Sequence, residues 1–378
     1  MPIDHFHKFL TSAQQEEITL EAAHARLTHF AGRPWLFFPE FSAYVTSFVN
    51  AMRNPVAVAP VDASLPLSQY FIKSSHNTYL TGNQFSSKSS IDAYILPLLA
   101  GCRSVEIDVL DYKNEPYVYH GYTFTSRIPF KLVLQVIRKY AFVTSDFPLT
   151  LSLETHCKAP QQIKMAQYMR DVLGELLVTE SLDAEVMDLP SPEQLSRRIL
   201  IKNKAAAAHD PNSTRPLPDA ERHHSAQSSS DGTNSSMPEA KGGPSSSILS
   251  KKVKFVSDLA QLNVYHQGSR LPKLPRSSDS PDLGPFQPHF DQIFSLPENK
   301  LASYQNDFDR LVRITSTNII RTFPKYTRVF SGNYNPLSFW AVGSQMVALN
   351  YQSFDFHTQM NQALFHPGNR AGYLLKPD

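Results

Sequence analysis

Two short runs, SVEIDVL and LTLSLETH, alternate between aliphatic and polar side chains. Val105, Ile107 and Val109 share one face of the first, with Glu106 and Asp108 on the other. In the second, Leu149, Leu151 and Leu153 oppose Thr150, Ser152, Glu154 and His156. A period of two marks a strand with unlike faces. ILIKNK repeats the arrangement with Lys202 and Lys204, and SSHNTYL closes an apolar run at Tyr70, Phe71 and Ile72 with Ser74, Ser75, His76 and Asn77. Candidate strands over 70–76, 104–109, 117–120, 149–154 and 198–203 alternate with helical periodicity over 90–100, 128–142 and 161–178. That alternation favours a parallel sheet covered on its faces. Further strands are expected at 262–265, 318–322, 346–350 and 372–375. Together the two half-sets are enough for an α/β fold, a TIM-like (β/α)8 barrel of about 250 residues.

Between Ala205 and Ser247 the large apolar residues are Leu217 and Met237 alone, amid Ser, Pro, Gly, Ala and His. Such composition cannot offset its ordering entropy, so 205–250 is expected to be a disordered linker. The chain then divides into a small helical N-terminal region at 1–66, a barrel half at 67–204, the linker, and a second half at 251–378. A Pro- and Ser-rich stretch at 271–288 reads as a loop. Within 1–66, HKFL, AAHARLTHF and FSAYVTSFVNAM look like short helices, and their acidic residues lack the spacing of a calcium-binding helix–loop–helix.

No run reaches the 18 to 20 or so apolar residues a membrane span needs, and MPIDHFHKF lacks the core of a secretion signal, so a cytoplasmic protein is expected. Cys102 and Cys157 sit in or beside apolar runs, as reduced core residues would. The formal charge of +2 gives no reason to expect nucleic acid. No protein partner is legible.

Polar groups therefore collect at the C-terminal ends of separate strands, where a (β/α) barrel builds its site. Taken singly, a carboxylate at a strand end is usually solvated and a lone histidine usually satisfied. Taken together, Asn77, Glu106, Asp108 and Glu154 offer hard oxygens from three strands, a set suited to Ca²⁺. His76 and His120 add groups that donate or transfer protons near neutral pH.

PLSQYFIKSSHNTYLTGNQ, GCRSVEIDVLD, YHGYTFTSRIPF, LSLETHC and LPSPEQLSRRILIKNK resemble the X half of eukaryotic phosphoinositide-specific phospholipase C. NIIRTFPKYTRVFSGNYNPLSFWAVGSQMVALNYQS and GYLLKP resemble its Y half, and residues 1–66 a shortened remnant of its EF-hand region. The resemblance implies calcium ligands at Asn77, Glu106, Asp108 and Glu154. It implies catalytic histidines at His76 and His120, with Glu106 as general base, a role His76 or Asp108 could share. Lys202 and Lys204 match the lysines that hold ring phosphates 4 and 5, Ser295 and Arg321 match further head-group contacts, and Phe323 stands where the family usually has a tyrosine. The implied activity is calcium-dependent hydrolysis of phosphatidylinositol 4,5-bisphosphate, in signalling, to diacylglycerol and inositol 1,4,5-trisphosphate through a cyclic phosphodiester.

Departures from the pattern matter too. Phe323 keeps the aromatic face without the hydroxyl, and Tyr326 and Phe330 replace small and acidic residues. Neither a PH nor a C2 domain is expected in this sequence. Peripheral contact with the inner face of a membrane, where the phosphoinositide head group lies, is then assigned to Phe85, Phe124 and Tyr326, with help from Lys251, Lys252 and Lys254. One rival is a catalytically silent phospholipase C-like scaffold, which the six intact site residues oppose. A second is a glycerophosphodiesterase-type barrel, against which Lys202, Lys204 and Arg321 favour a phosphorylated inositol.

Overall fold

The computed structural model describes residues 1–14, 16–37, 40–41, 44, 61–183, 188–204, 256–271, 286–304, 307–366 and 370–377. The expected linker at 205–250 lies outside them, as do Lys251, Lys252, Lys254 and most of FSAYVTSFVNAM. The chain forms two compact units, one of residues 1–61 with 366–369 and one of 62–365 with 370–378.

In the first unit helix Ile3–Lys8 runs into a wide turn at Phe9–Ala13, and a second helix spans Leu20–Ala31. Thr19 caps the latter by accepting the Ala22 N–H, and Gly32 ends it at φ 65°, a left-handed conformation that glycine adopts without a Cβ clash. Phe6, Leu10, Ala23, Leu27, Leu36 and Tyr44 form its core.

The second unit is a barrel. Its strands are β1 (Tyr70–Ile72), β2 (Ser74–Ser75), β3 (Ser104–Tyr112), β4 (Glu115–Val118), β5 (Ile128–Pro129), β6 (Leu149–Thr155), β7 (Ile199–Lys204), β8 (His266–Ser269), β9 (Gln292–Pro297), β10 (Ile319–Phe323), β11 (Met346–Leu349) and β12 (Tyr373–Leu375). Eight of them close in the order β2-β11-β10-β9-β8-β7-β6-β3, with β3 returning to β2. Every ladder in that ring is parallel. The hairpin of β4 and β5 extends β3 antiparallel, and β1 pairs antiparallel with β12.

Period-two alternation decides what lies inside. The aliphatic faces of β3 and β6 pack outward against Phe130, Val133, Leu134 and Ile137 of helix Phe130–Tyr140 and Met165 and Met169 of helix Ala159–Leu173. In the other half Phe294, Leu296, Ile320, Val347 and Leu349 pack against Leu311, Ile314, Phe339 and Trp340. Each such side chain contributes about 1.5–3 kcal/mol on burial. The barrel interior receives the polar faces. Register aligns Ser74 with Ser104, Ser104 with Thr150, Lys202 with His266, and Ser295 with Arg321.

At the N-terminal end of the barrel, cations terminate on main-chain carbonyls. Arg103, fully buried, donates to the carbonyls of Cys102, Ala141 and Ser145 at 2.8, 2.7 and 3.1 Å. Lys73 and Lys376 donate to Ala100 and Thr315 carbonyls, each at 2.8 Å. Both cysteines are buried free thiols.

The strand expected at 70–76 is split into β1 and β2, which belong to different sheets, and two further elements differ from the sequence expectation. The strand expected at 262–265 is instead β8 at His266–Ser269, because Leu262 and Leu259 pack outside the barrel and the inward positions belong to His266 and Gly268. Gly268 is required there, since a Cβ would lie 2.6 Å from the Asn203 carbonyl oxygen. β9 was not foreseen in its Pro-flanked setting. Pro297 ends that strand and stands immediately before the short helix Glu298–Ala302, so it disrupts no ladder inside the sheet.

Candidate active site

Strands β3, β6, β7, β9 and β10 and the segments that follow β2 and β4 carry the candidate residues. Glu106, Asp108 and Glu154 come together, each offering an oxygen within 4.8 Å of the others. Glu106 and Asp108 are buried, and Glu154 is half-exposed at the rim. Asn77 follows β2 at φ 40°, a left-handed conformation that asparagine tolerates. Its main-chain N–H donates to Glu106 Oε2 at 2.9 Å and its side-chain Nδ2 to Gln84 Oε1 at 2.7 Å. Its amide oxygen therefore points away from Gln84.

The carboxylates differ in their surroundings. Burial opposes the charge of Glu106, but Arg321, His76 and the Asn77 amide outweigh it and hold the carboxyl below its usual range. Arg321 Nη2 lies 2.9 Å from Glu106 Oε1, an ion pair without directional hydrogen-bond geometry, and Arg321 Nε and Nη2 are both buried with no hydrogen bond. Asp108 accepts the Tyr79 hydroxyl on Oδ2 at 2.6 Å, while its Oδ1 is buried with no partner. Burial, with Glu154 and Glu106 adjacent, pushes Asp108 well above the carboxylate range. Glu154 is held well below that range by His156, whose Nε2 donates to it at 3.1 Å, in excess of the opposing effect of burial. Three carboxylates this close repel one another until a cation joins them. A buried, unpartnered carboxylate oxygen among hard donors fits Ca²⁺.

The imidazoles are fixed by their Nδ1 atoms. His76 Nδ1–H donates to Asn350 Oδ1 at 2.8 Å, and its Nε2 faces Glu106 Oε2 at 3.9 Å. Burial lowers the His76 pKa, against the opposing effects of Glu106 and the Asn350 hydrogen bond. His120 Nδ1–H donates to the Gln84 carbonyl at 2.5 Å; a carbonyl only accepts, so the Nε2 atom is the one left for chemistry.

The anion-binding candidates line the next wall. Lys202 Nζ reaches Ser152 Oγ at 3.3 Å, and burial together with Arg321 lowers its pKa to about 8. Its register partner His266 is kept neutral by burial and by Lys202, its pKa lowered to about 3. Lys204 is exposed at the strand end. Ser295 Oγ is buried without a partner and aligns with Arg321 on the neighbouring strand. Phe323 stacks on His76, ring centroids 6.0 Å apart and planes 4° apart, and Arg321 lies 5.2 Å from its centroid.

Sequence reasoning missed Tyr79, Gln84, Ser331, Asn350 and the contact of His156 with Glu154. Asn350 had a signal, since inward alternation from Met346 through Ala348 reaches it. Around the mouth Phe85 and Phe124 meet edge to face at 5.3 Å, and they are 49% and 80% exposed. Tyr122, Tyr326 and Phe330 are exposed at 90%, 92% and 87%.

A family model described as "Phosphatidylinositol-specific phospholipase C, X domain" matches residues 63–205, and its Y-domain counterpart matches 259–378. The chain is 36% identical over 375 residues to 1-phosphatidylinositol 4,5-bisphosphate phosphodiesterase delta-3-A of Danio rerio, covering 97% of this chain and 46% of that protein. It is 36% identical over 323 residues to the zeta-1 enzyme of Homo sapiens, covering 84% and 50%. Inactive phospholipase C-like protein 2 of Mus musculus is 34% identical over 372 residues, covering 96% and 31%. The crystal structure of S. officinalis PLC21 superposes with a TM-score of 0.69 at 27% identity, covering all of this chain and 48% of that one. The chain spans about half the length, or less, of these relatives.

Proposed function

We propose that this chain, which belongs to the phosphatidylinositol-specific phospholipase C family, hydrolyses phosphatidylinositol 4,5-bisphosphate to diacylglycerol and inositol 1,4,5-trisphosphate, and requires calcium to do so. Residues 67–204 and 251–378 would be the two halves of its catalytic barrel, and 1–66 an EF-hand-like remnant. The observation that carries the reading is the cluster of Glu106, Asp108 and Glu154 with the buried, unpartnered Asp108 Oδ1, flanked by two imidazoles of fixed tautomer.

Asn77, Glu106, Asp108 and Glu154 would hold the cation. Bound there, Ca²⁺ would supply Lewis acidity, lowering the pKa of the inositol 2-hydroxyl and offsetting charge on the phosphoryl oxygens. Glu106, kept ionised by Arg321 and His76, accepts the 2-hydroxyl proton as that oxygen bonds to phosphorus. His76 Nε2, beside Glu106, stabilises the phosphoryl charge once protonated. His120 gives its Nε2 proton to the glycerol oxygen as the phosphorus–oxygen bond to diacylglycerol breaks. In the second step His120 takes a proton from water, the water oxygen bonds to phosphorus, and the 2-oxygen leaves with the proton held by Glu106. Lys202, Lys204, Ser295 and Arg321 bind the ring phosphates, with the open donors of Arg321 suited to a forked contact. Phe323 gives the inositol ring an apolar wall.

Among the described residues no helix is long and apolar enough to cross a membrane. Contact with the lipid is assigned to Phe85, Phe124 and Tyr326, whose exposed rings suit peripheral insertion from the cytoplasmic side. A second reading, a silent phosphoinositide-binding scaffold, follows from the similarity to the inactive mouse protein. One assay separates the two: purified chain with phosphatidylinositol 4,5-bisphosphate in mixed micelles, with calcium or excess EGTA. Expected is turnover that chelation or His120→Ala abolishes. Full turnover in EGTA would overturn the calcium assignment, and lipid binding without turnover would favour the scaffold.

A further inference from the structure

Gln84 lies between the candidate cation ligands and both imidazoles. It sits in the loop after β2, is 8% exposed, and was given no role by the sequence. Its Oε1 accepts the Asn77 side-chain Nδ2–H at 2.7 Å. Its Nε2 donates to Ser331 Oγ at 2.9 Å and to Asn350 Oδ1 at 3.3 Å, and that same Asn350 oxygen accepts His76 Nδ1–H. Its carbonyl accepts His120 Nδ1–H, and its own N–H donates to the Val329 carbonyl at 2.8 Å. One residue thus ties the loops after β2, β4, β10 and β11 together.

The direction of these bonds carries the argument. A primary amide can present either its oxygen or its nitrogen to a cation, and only the oxygen ligates. At Asn77 the choice is made by Gln84 Oε1, which accepts from Nδ2 and leaves Oδ1 on the opposite side. At Gln84 the choice is made by Nε2, which needs the acceptors Ser331 Oγ and Asn350 Oδ1. Asn350 Oδ1 is turned toward both donors, and its own Nδ2 is buried without a partner, a cost that keeping the oxygen in place incurs. His76 is thereby held as the Nδ1–H tautomer, with Nε2 facing Glu106.

We infer that Gln84 is a positioning residue: it fixes the amide of Asn77 with the oxygen toward the cation and, through Asn350, the tautomer of His76. This rests on the calcium-dependent reading above. It also separates the two ends of the Gln84 side chain. The accepting end governs the cation, and the donating end governs the imidazole.

The test uses the whole chain with Gln84→Met, near-isosteric and lacking both the amide oxygen and the amide N–H, and Gln84→Glu, which keeps the acceptor and loses the donor. Calcium affinity is read twice: as the midpoint for turnover, and as the calcium-dependent rise in thermal midpoint with no substrate present. Orienting groups behind a metal ligand typically change affinity 10- to 100-fold, so Gln84→Met is expected to raise the calcium concentrations at half-effect in both assays by about that factor. Gln84→Glu is expected to restore them to within about 3-fold of wild type while kcat at saturating calcium stays reduced about 10-fold, a split that general loosening of the fold would not give. Should Gln84→Met fail to fold, Gln84→Ala takes its place. Calcium binding indifferent to Gln84, or equal losses of affinity in the Met and Glu variants, would overturn this inference alone. Absence of calcium binding by the wild-type chain would overturn the reading it rests on as well.

Discussion

Tyr79 donates its hydroxyl to Asp108 Oδ2 over 2.6 Å, both residues being buried, so one carboxylate oxygen is occupied and the other is left facing the acidic cluster. The pair orients a candidate ligand from behind. Tyr79→Phe keeps the ring and removes the donor, leaving Oδ2 unsatisfied at about 1–3 kcal/mol. The calcium midpoint is expected to rise about 10-fold or more, with kcat at saturating calcium changed only a few-fold. An unchanged midpoint in a calcium titration of turnover would remove Tyr79 from the site.

Arg321 and Glu106 are a buried pair, at 2% and 6% side-chain exposure. Removing one partner strands the other. Arg321→Met is therefore expected to destabilise the calcium-free chain by about 3–5 kcal/mol. Calcium should recover part of that loss, because a divalent ion gives Glu106 a new partner. Urea unfolding with and without calcium checks this, and equal losses in both conditions would contradict it.

Lys376 has its pKa lowered to about 7 by burial, against an ordinary value near 10.5. Between those values the unfolded chain holds a proton that the folded chain does not, so stability rises with pH across the window and is lost as pH falls through about 7. Lys73 and Lys202, lowered to about 8 by burial, act with the same sign. Cys157, pushed up by burial, opposes them at higher pH, so the clean range is roughly pH 7 to 8.5. Lys376→Met is expected to remove up to about 2 kcal/mol of the rise over that range. The Thr315 carbonyl stays satisfied by Gln345 Nε2 at 2.7 Å. Parallel slopes for wild type and variant in pH-dependent thermal unfolding would refute this account of Lys376.

Phe124 and Tyr326 are exposed aromatics at the mouth, and the Phe124 N–H donates to the Phe85 carbonyl at 2.8 Å. Full burial of a phenylalanine is worth about 1.5–3 kcal/mol. Phe124→Ser is expected to weaken sedimentation with phosphatidylinositol 4,5-bisphosphate vesicles by about 10-fold while sparing hydrolysis of a soluble cyclic inositol phosphate. Equal loss on both substrates would place Phe124 in the structure of the site and not in lipid contact.

The strands most legible in the sequence were those whose two faces have unlike neighbours. β3 and β6 meet helices on one side and the polar interior on the other, so their alternation survives in SVEIDVL and LTLSLET. β8 was misplaced because its inward positions are His266 and Gly268, one polar and one nearly absent, while the apolar run before it packs outside the sheet. The carboxylates were readable because they stand on the polar faces of β3 and β6, and the histidines because each follows a strand. Gln84, Ser331 and Asn350 were not, since they meet across 247 and 266 residues of sequence and no local spacing encodes such a meeting.

The parallel ring is stitched shut between its two halves at two places, β7 with β8 and β11 with β2, and the β1–β12 pairing adds a third. Each half is thus an arc with adhesive edges at both ends. A chain severed between Lys204 and Val256 would keep the pairing partners of all three stitches, so closure of its barrel would become an association whose extent depends on the concentration of the two pieces.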